Sequence, residues 1–389
     1  MELIFADSKT PKSIKQSIFL AGPSPRNKNS IEWRHEAISY LESINFDGHV
    51  FIPIPQKRFY GQDDSKDWTY DGQVDWECKF RHIADLIIFW IPRNTLEGMP
   101  AFTTNIEFGE DLNSGKIIYG RPDNAEKCRY LDKRIIDKKL SVFNKLNTML
   151  DYAISQMNGG STRNLGEIYV PLFIWNTEQF KSWYKNLKLA GNTLECAKLL
   201  HHTEFSNKKV FCYILWVNIW VEKEKRFKEN EFVFSRTDIS SVVAYYETET
   251  DVEILLVKEF RSPVNNSEGF VYELPGGSSV EDELDSKTNA QHELAEEAGL
   301  LIEDLSRFKY VGQRQLMPTL SSHKAQVYSL KLKNSEYVQI KENIKNNTCF
   351  GLPGDSEKTY VNLVKISQLK NSFLDYSMMG MIYEAIYLK

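Results

Sequence analysis

Ser17-Ile18-Phe19-Leu20-Ala21-Gly22-Pro23 sets the architecture of the N-terminal half. Ser17 to Ala21 is an uncharged, largely apolar run with the length of a buried strand, and Gly22-Pro23 stops it in a tight turn. A helical pattern follows, with Ser30 placed to cap it and Trp33, Ala37, Ile38 and Leu41 at helical spacing. Outward from there the alternation repeats. Strands are expected over 49–54, 86–91 and 116–119, and helical stretches over 74–84 and 106–112. Strand and helix in this order predict an α/β domain over residues 1–135, a doubly wound, Rossmann-like parallel sheet with helices on its faces.

The texture then changes. Residues 140–157 and 177–200 read as mostly helical, around a break at Gly159-Gly160-Ser161 and a short strand over 168–174. Residues 136–207 are therefore expected to be a helical connector or an extension of the first domain. From 208 to 389 the chain is strand-rich, and a second domain with a mixed sheet is expected there. Residues 210–221 alternate sides, and the charged run 222–230 reads as a solvated loop. Residues 239–246 and 252–260 form a hairpin pattern across a polar turn. A helix near 287–298 and strands over 310–314 and 325–332 complete the reading.

Composition narrows the function classes. A chain of 389 residues suits two or three domains. Its net charge of −5 lacks the basic footprint of a nucleic-acid binder, so no stable nucleic-acid partner is expected. Met1 to Thr10 carry Glu2 and Asp7 without a basic start and apolar run, and no apolar stretch reaches membrane-spanning length. Neither a secretory signal nor a membrane partner is expected. The cysteines (Cys78, Cys128, Cys196, Cys212, Cys349) are odd in number, widely spaced and without a CxxC pair. That pattern fits a reduced, cytoplasmic protein with no zinc site or disulfide framework.

The most specific chemistry lies in Glu273-Leu274-Pro275-Gly276-Gly277, then Glu283, then His292-Glu293-Leu294-Ala295-Glu296-Glu297-Ala298-Gly299-Leu300. Glu293, Glu296 and Glu297 are spaced i, i+3, i+4, so one helical face carries three carboxylates. Their repulsion is relieved by a divalent cation, and an oxygen-only set suits Mg²⁺ or Mn²⁺, which in turn hold phosphate oxygens. Gly276-Gly277 permits close backbone approach, and Gly299 ends the helix. The segment resembles the Nudix box, Gly-x5-Glu-x7-Arg-Glu-hydrophobic-x-Glu-Glu-x-Gly-hydrophobic. It departs at two places: eight residues from Leu284 to Gln291 stand where seven are usual, and His292 replaces the arginine that normally braces a glutamate. The resemblance implies an α/β/α fold over 208–389 that cleaves a nucleoside diphosphate derivative with Mg²⁺. It places the metal at Glu293, Glu296 and Glu297 beside Gly277, and makes Glu297 a catalytic candidate. Lys258-Glu259-Phe260-Arg261 followed by Tyr272-Glu273-Leu274-Pro275 looks like the branch acting on ADP-ribose and nucleotide sugars, with Arg261 as a substrate contact.

A second constellation lies in the first domain: Val74-Asp75-Trp76-Glu77, then Ala84-Asp85 running to Pro92-Arg93, then Thr104-Asn105-Ile106-Glu107-Phe108-Gly109. Glu107 follows a strand and a loop, which sets it at the carboxyl edge of the sheet where open α/β folds bind ligands. The Gly22-Pro23 turn lies at the same edge. Asp85 reads as a helix cap more readily than as a site residue. With its Gly-containing first turn and Asn-x-Glu-hydrophobic-Gly segment, this half resembles the nucleoside 2-deoxyribosyltransferase-like family, which includes nucleotide N-hydrolases. The resemblance implies Glu107 as nucleophile. Asp75 is then the candidate contact to base or sugar, with Asp85 behind it. Gly22, Pro23 and Asn105 line the substrate, and Arg93, whose planar fork suits phosphate, meets a 5′-phosphate.

The two resemblances together predict a bifunctional nucleotide-processing enzyme with a small-molecule nucleotide or nucleoside substrate and Mg²⁺ (or Mn²⁺) as cofactor. Relatives of both halves tend to associate, so a homo-oligomer is expected. The alternative is a nucleotide sensor in which one or both sites bind without turnover.

Overall fold

In the computed structural model of the chain, Ser17–Ala21 is a strand with every residue buried, as an unbroken apolar run between helical layers requires. All residues are described except 27–31, 63–68, 97, 206–207, 279–283, 353, 355, 373 and 389; Ser30 and Glu283, both singled out above, lie outside the described residues. Two compact units share the chain: Met1–Thr203 with Tyr213–Val233, and Glu204–Cys212 with Phe234–Lys389. No helix among the described residues is long and apolar enough to cross a membrane.

The first unit is built on β1 (Glu2–Phe5), β2 (Ser17–Ala21), α1 (Arg34–Ser43), β3 (His49–Ile52), α2 (Tyr70–Ile83), β4 (Leu86–Trp90), α3 (Phe102–Asp111), β5 (Ile117–Gly120), α4 (Arg129–Asp137) and β6 (Val142–Phe143). The sheet runs β1-β3-β2-β4-β5-β6 with every neighbouring pair parallel, a Rossmann-like arrangement. Side chains alternate between its faces. Ile18, Leu20, Val50, Ile52 and Ile88 pack under α1 and under α5 (Leu146–Met157). Phe19, Phe51, Ile87, Phe89 and Tyr119 pack under α2, α3 and α4. The chain leaves β2 for β3 on one side and crosses back to β4 on the other. The crevice of this switch therefore opens beyond the carboxyl ends of β2 and β4, beside Gly22 and Ile91.

Two expected elements differ. Residues 168–174 are not a strand. Leu165–Tyr169 is a 3₁₀ turn and Leu172–Trp175 a helical turn that starts at Pro171, whose ring supplies helix-start geometry and no ladder donor. The helical reading of 177–200 holds only for α6 (Glu178–Leu189). Gly191 sits in the left-handed region, and the chain then continues as β7 (Thr193–Glu204). β7 joins β8 (Val210–Val221) and β9 (Arg226–Arg236) in the order β9-β8-β7. Much of the charged run 222–230 is thus strand rather than loop: Arg226–Asn230 lie in β9, which pairs with β8, while their side chains all stay in solvent.

Asp85 is a tether. It is 2% exposed and accepts from Arg163 Nη2 at 2.7 Å, Ser17 Oγ at 3.0 Å and Leu172 N at 3.2 Å. Arg163 is itself fully buried, so the pair pins the 163–172 segment beneath the sheet. Asp85→Ala strands that guanidinium and is expected to cost roughly 3–5 kcal/mol, read as a lower midpoint in urea. A loss below about 1 kcal/mol would show the tether is dispensable.

The second unit contains β10 (Ile239–Glu247), β11 (Val252–Phe260), β12 (Phe270–Glu273), β13 (Gly276–Gly277), α7 (Ser286–Ala298), β14 (Lys309–Gln315), β15 (Lys324–Lys331), α8 (Asn334–Lys345), β16 (Cys349–Phe350), β17 (Thr359–Lys365) and α9 (Tyr376–Tyr387). Its sheet runs β14-β15-β10-β11-β17-β16, with β12 on β11 and β13 on β10. The β10–β15 pair is parallel and the others antiparallel, so the sheet is mixed. α7 and α8 cover one face through Ala290, Leu294 and Ile340, and α9 covers the other through Met381, Ile382 and Ala385.

Candidate active sites

The first site forms between α2 and α3, within electrostatic reach of Arg34, which bonds the turn after β2. α3 begins at Phe102, earlier than the expected 106, after Ala101 in the left-handed region. Glu107 therefore stands mid-helix, partly buried, and shares a hydrogen bond with Glu77 of α2. Glu77 in turn accepts from Gln73 Nε2 at 2.6 Å, and Gln73 is anchored on the Pro53 carbonyl at the end of β3. Burial and the neighbouring Glu77 push the Glu107 carboxyl up to about 7, against the pull of Arg81 and Arg34. A like-charged neighbour within hydrogen-bond reach favours the neutral form, so Glu107 gives up its proton only as pH rises through about 7.

The surrounding charges are fixed. Arg34 has no exposed surface; it donates to Leu20 O at 2.9 Å and Gly22 O at 2.6 Å and pairs with Glu32 at 2.8 Å. It thus holds the turn after β2 in place. Gly22 is required by space: a Cβ there would lie 2.2 Å from the Trp90 carbonyl oxygen and 2.8 Å from the Trp33 ring. The Pro23 carbonyl accepts from the Trp33 indole at 3.1 Å. Arg81 is clamped by Asp111 at 2.5 Å and Glu110 at 2.8 Å.

Several residues picked from the sequence stand elsewhere. Asp75 is exposed on α2; it lies two residues from Glu77, roughly 200° round the helix. Glu77 holds the position beside Glu107. A sequence signal for it existed: Gln73, Glu77 and Arg81 recur every four residues as a polar stripe beside the buried Trp76, Phe80 and Ile83. Arg93 and Asn105 are brought together, with Arg93 Nη2 donating to Asn105 Oδ1 at 2.5 Å. They line a separate cavity of about 250 Å³ between α3 and α4. Asn105 and Glu107 are also roughly 200° apart on their helix, so Arg93 does not share the Glu107 face.

The second site lies at the carboxyl end of α7. Asp285 caps the helix by accepting from Lys287 N and Thr288 N, so only Leu284 and Asp285 of the eight-residue interval precede it. Glu297 is 5% exposed and accepts from Gly276 N at 2.9 Å. A Cβ on Gly277 would lie 2.6 Å from a Glu293 oxygen, which explains the glycine. Among the described residues, the carboxylate oxygens that all fall within 4.8 Å of one another belong to Glu259, Glu297 and Glu357. Glu293 and Glu296 of the expected trio are outside that group. Glu259 comes from β11 and Glu357 from the loop before β17, neighbours that helical spacing does not reveal.

Burial pushes the Glu297 carboxyl well above the carboxylate range, with Glu293, Glu357 and Glu259 adding to it. Glu293 is raised to about 7 by burial, Glu296 and Glu357. Glu259 is raised to about 7 by burial together with Glu357 and Glu273. Buried carboxylates this close repel unless protons or a cation intervene, so an oxygen-ligated divalent ion fits the donor set. Arg261, expected at the substrate, is engaged by Glu259 at 2.7 Å, Glu273 at 2.8 Å and Glu357 at 3.6 Å. His292 is exposed.

Residues 15–124 match the family described as nucleoside 2-deoxyribosyltransferase like. The chain therefore carries an N-terminal nucleoside 2-deoxyribosyltransferase-like domain, which implies a nucleoside-processing role and a small-molecule substrate. The matched stretch contains Gly22, Glu77, Arg93, Asn105 and Glu107. No curated protein matches the chain.

Proposed function

We propose that the first unit breaks or transfers the N-glycosidic bond of a nucleoside or nucleotide, and that the second is a Nudix-type, Mg²⁺-dependent hydrolase of a nucleoside diphosphate derivative. The observation that carries the first reading is the Glu77–Glu107 pair, within electrostatic reach of Arg34 at the Gly22 turn, in the deoxyribosyltransferase-like domain. Cleavage of the glycosidic bond leaves positive charge at the anomeric carbon. Once ionised, Glu107 stabilises or attacks that carbon, and the base departs with the electrons of the broken C–N bond and takes up a proton from water. Arg34 keeps the Gly22 turn open for the sugar.

For the second reading, the support is the Nudix-like segment together with the buried cluster. Glu259, Glu297 and Glu357 would hold the ion, with Glu293 beside them. Bound there, Mg²⁺ would supply Lewis-acid polarisation of a phosphoryl group. Arg261 takes up the bracing role that the Nudix pattern gives to the position of His292. The two reactions combine in order: diphosphate cleavage yields a nucleoside monophosphate, and glycosidic cleavage frees its base.

The test incubates the full chain with a nucleotide panel, with Mg²⁺ or with EDTA, and follows products by mass spectrometry. Diphosphate cleavage is expected only with Mg²⁺. Base release from monophosphates is expected under both conditions. Diphosphate cleavage without any free base removes the first assignment, and free base without diphosphate cleavage removes the second. Ligand binding with no product of either kind identifies a sensor instead.

A further inference from the structure

We propose that the cavity between α3 and α4 is a second ligand site, separate from the Glu107 crevice, that binds a small phosphate-bearing molecule. The argument begins with a buried charge. Arg93 is 6% exposed, and its hydrogen bonds go to neutral acceptors: Lys127 O at 2.8 Å and Asn105 Oδ1 at 2.5 Å. Its Nε is buried without a partner. The other buried arginines of this unit each bond a carboxylate: Arg34 to Glu32, Arg81 to Asp111 and Arg163 to Asp85. A guanidinium removed from water needs an anion, and among the described residues none bonds Arg93. Glu126 feels its charge, but the Glu126 carboxylate is taken by Thr95 N at 3.2 Å and Thr95 Oγ1 at 2.5 Å.

The rest of the lining fits the same ligand. Lys127 and Arg134 add two cations, and no acidic residue lines the cavity. The Arg134 side chain makes no hydrogen bond or ion pair among the described residues. Phe108 and Leu131 give an apolar floor, and Tyr130 stands exposed at the rim. A space of about 250 Å³ is at the small end for ligand pockets, sized for a phosphorylated sugar rather than a dinucleotide. Asn105, held by Arg93, is two residues from Glu107 on α3, so an occupant here would be adjacent in the fold to the reacting carboxyl without touching it.

The experiment titrates the full chain with ribose 5-phosphate, inorganic phosphate and ribose by calorimetry. Ribose 5-phosphate is expected to bind and ribose is not. Equal affinity for inorganic phosphate would identify the free ion as the ligand; weaker affinity would identify the sugar phosphate. The double variant Lys127→Glu, Arg134→Glu changes side chains on or near the surface and is expected to weaken binding by about tenfold or more. Glu107→Gln is expected to retain it, which separates this site from the proposed catalytic one. Binding of ribose as tight as that of its phosphate, no phosphate binding, or phosphate binding that survives the double variant overturns the proposal. So does phosphate binding lost in Glu107→Gln.

Discussion

Glu107→Gln is expected to lower base release by roughly 10³-fold, with secondary structure and Mg²⁺-dependent diphosphate cleavage unchanged. The amide keeps the shape of the carboxyl and removes the charge that meets the anomeric carbon. Glu77→Gln tests the neighbour that raises Glu107. Glu107 titrates at about 7 because of burial and then Glu77, so base release by the native protein rises with pH through that region as Glu107 loses its proton. Removing the like-charged neighbour lowers the Glu107 value, and the acid limb of the pH–rate profile moves to lower pH. An unmoved limb would mean that Glu77 does not govern the pair. Stability carries the same signature. The folded-state value of Glu107 is raised, so its contribution is fully present below the ordinary carboxylate range and is lost as pH rises through about 7. Glu107→Gln should therefore gain stability relative to the native chain at pH 8 compared with pH 5, measured by denaturant midpoints.

Glu297→Gln is expected to abolish Mg²⁺-dependent diphosphate cleavage and the stabilisation that Mg²⁺ gives the native chain. At an ion concentration about a hundredfold above its dissociation constant, that stabilisation is roughly 2.7 kcal/mol, read as a rise in Tm. The three raised carboxyls also give the ion a pH dependence. Glu259 at about 7 and Glu297 well above its usual range must lose protons before they can ligate, and Glu293 beside them, also at about 7, adds negative charge that favours the ion as it ionises. Mg²⁺ should bind more tightly at pH 8 than at pH 6. Without Mg²⁺, the stability these groups contribute is present at low pH and falls as pH rises through about 7, because charge accumulates in a buried cluster. A Tm that responds to Mg²⁺ equally in the native chain and in Glu297→Gln would exclude the cluster as the ion's site.

The architecture of the first unit was legible because buried parallel strands are written as unbroken apolar runs. Ser17–Ala21 and Leu86–Trp90 have no polar face to confuse the period. The hairpin of β10 and β11 and the helix of Glu293 and Glu297 were legible for a related reason, since turn chemistry and helical spacing are local. The 193–204 strand was less so. Its leucines and charges suit a helix as well as a strand, and the turn at Gly191 together with pairing to β8 decided it.

The sites divide along the same line. Sequence alone marked Glu107, Gly22, Gly277 and Glu297, whose significance rests on spacing and turns within a few residues. Tertiary structure alone decided that Glu77 rather than Asp75 meets Glu107, that Glu259 and Glu357 crowd Glu297, that Asp85 ties down Arg163, and that Arg93 opens onto a different cavity. Those partners are separated by tens of residues along the chain. Spacing along one helix determines which face a side chain shares, but only the packing of separate elements determines which carboxylate or cation stands across from it.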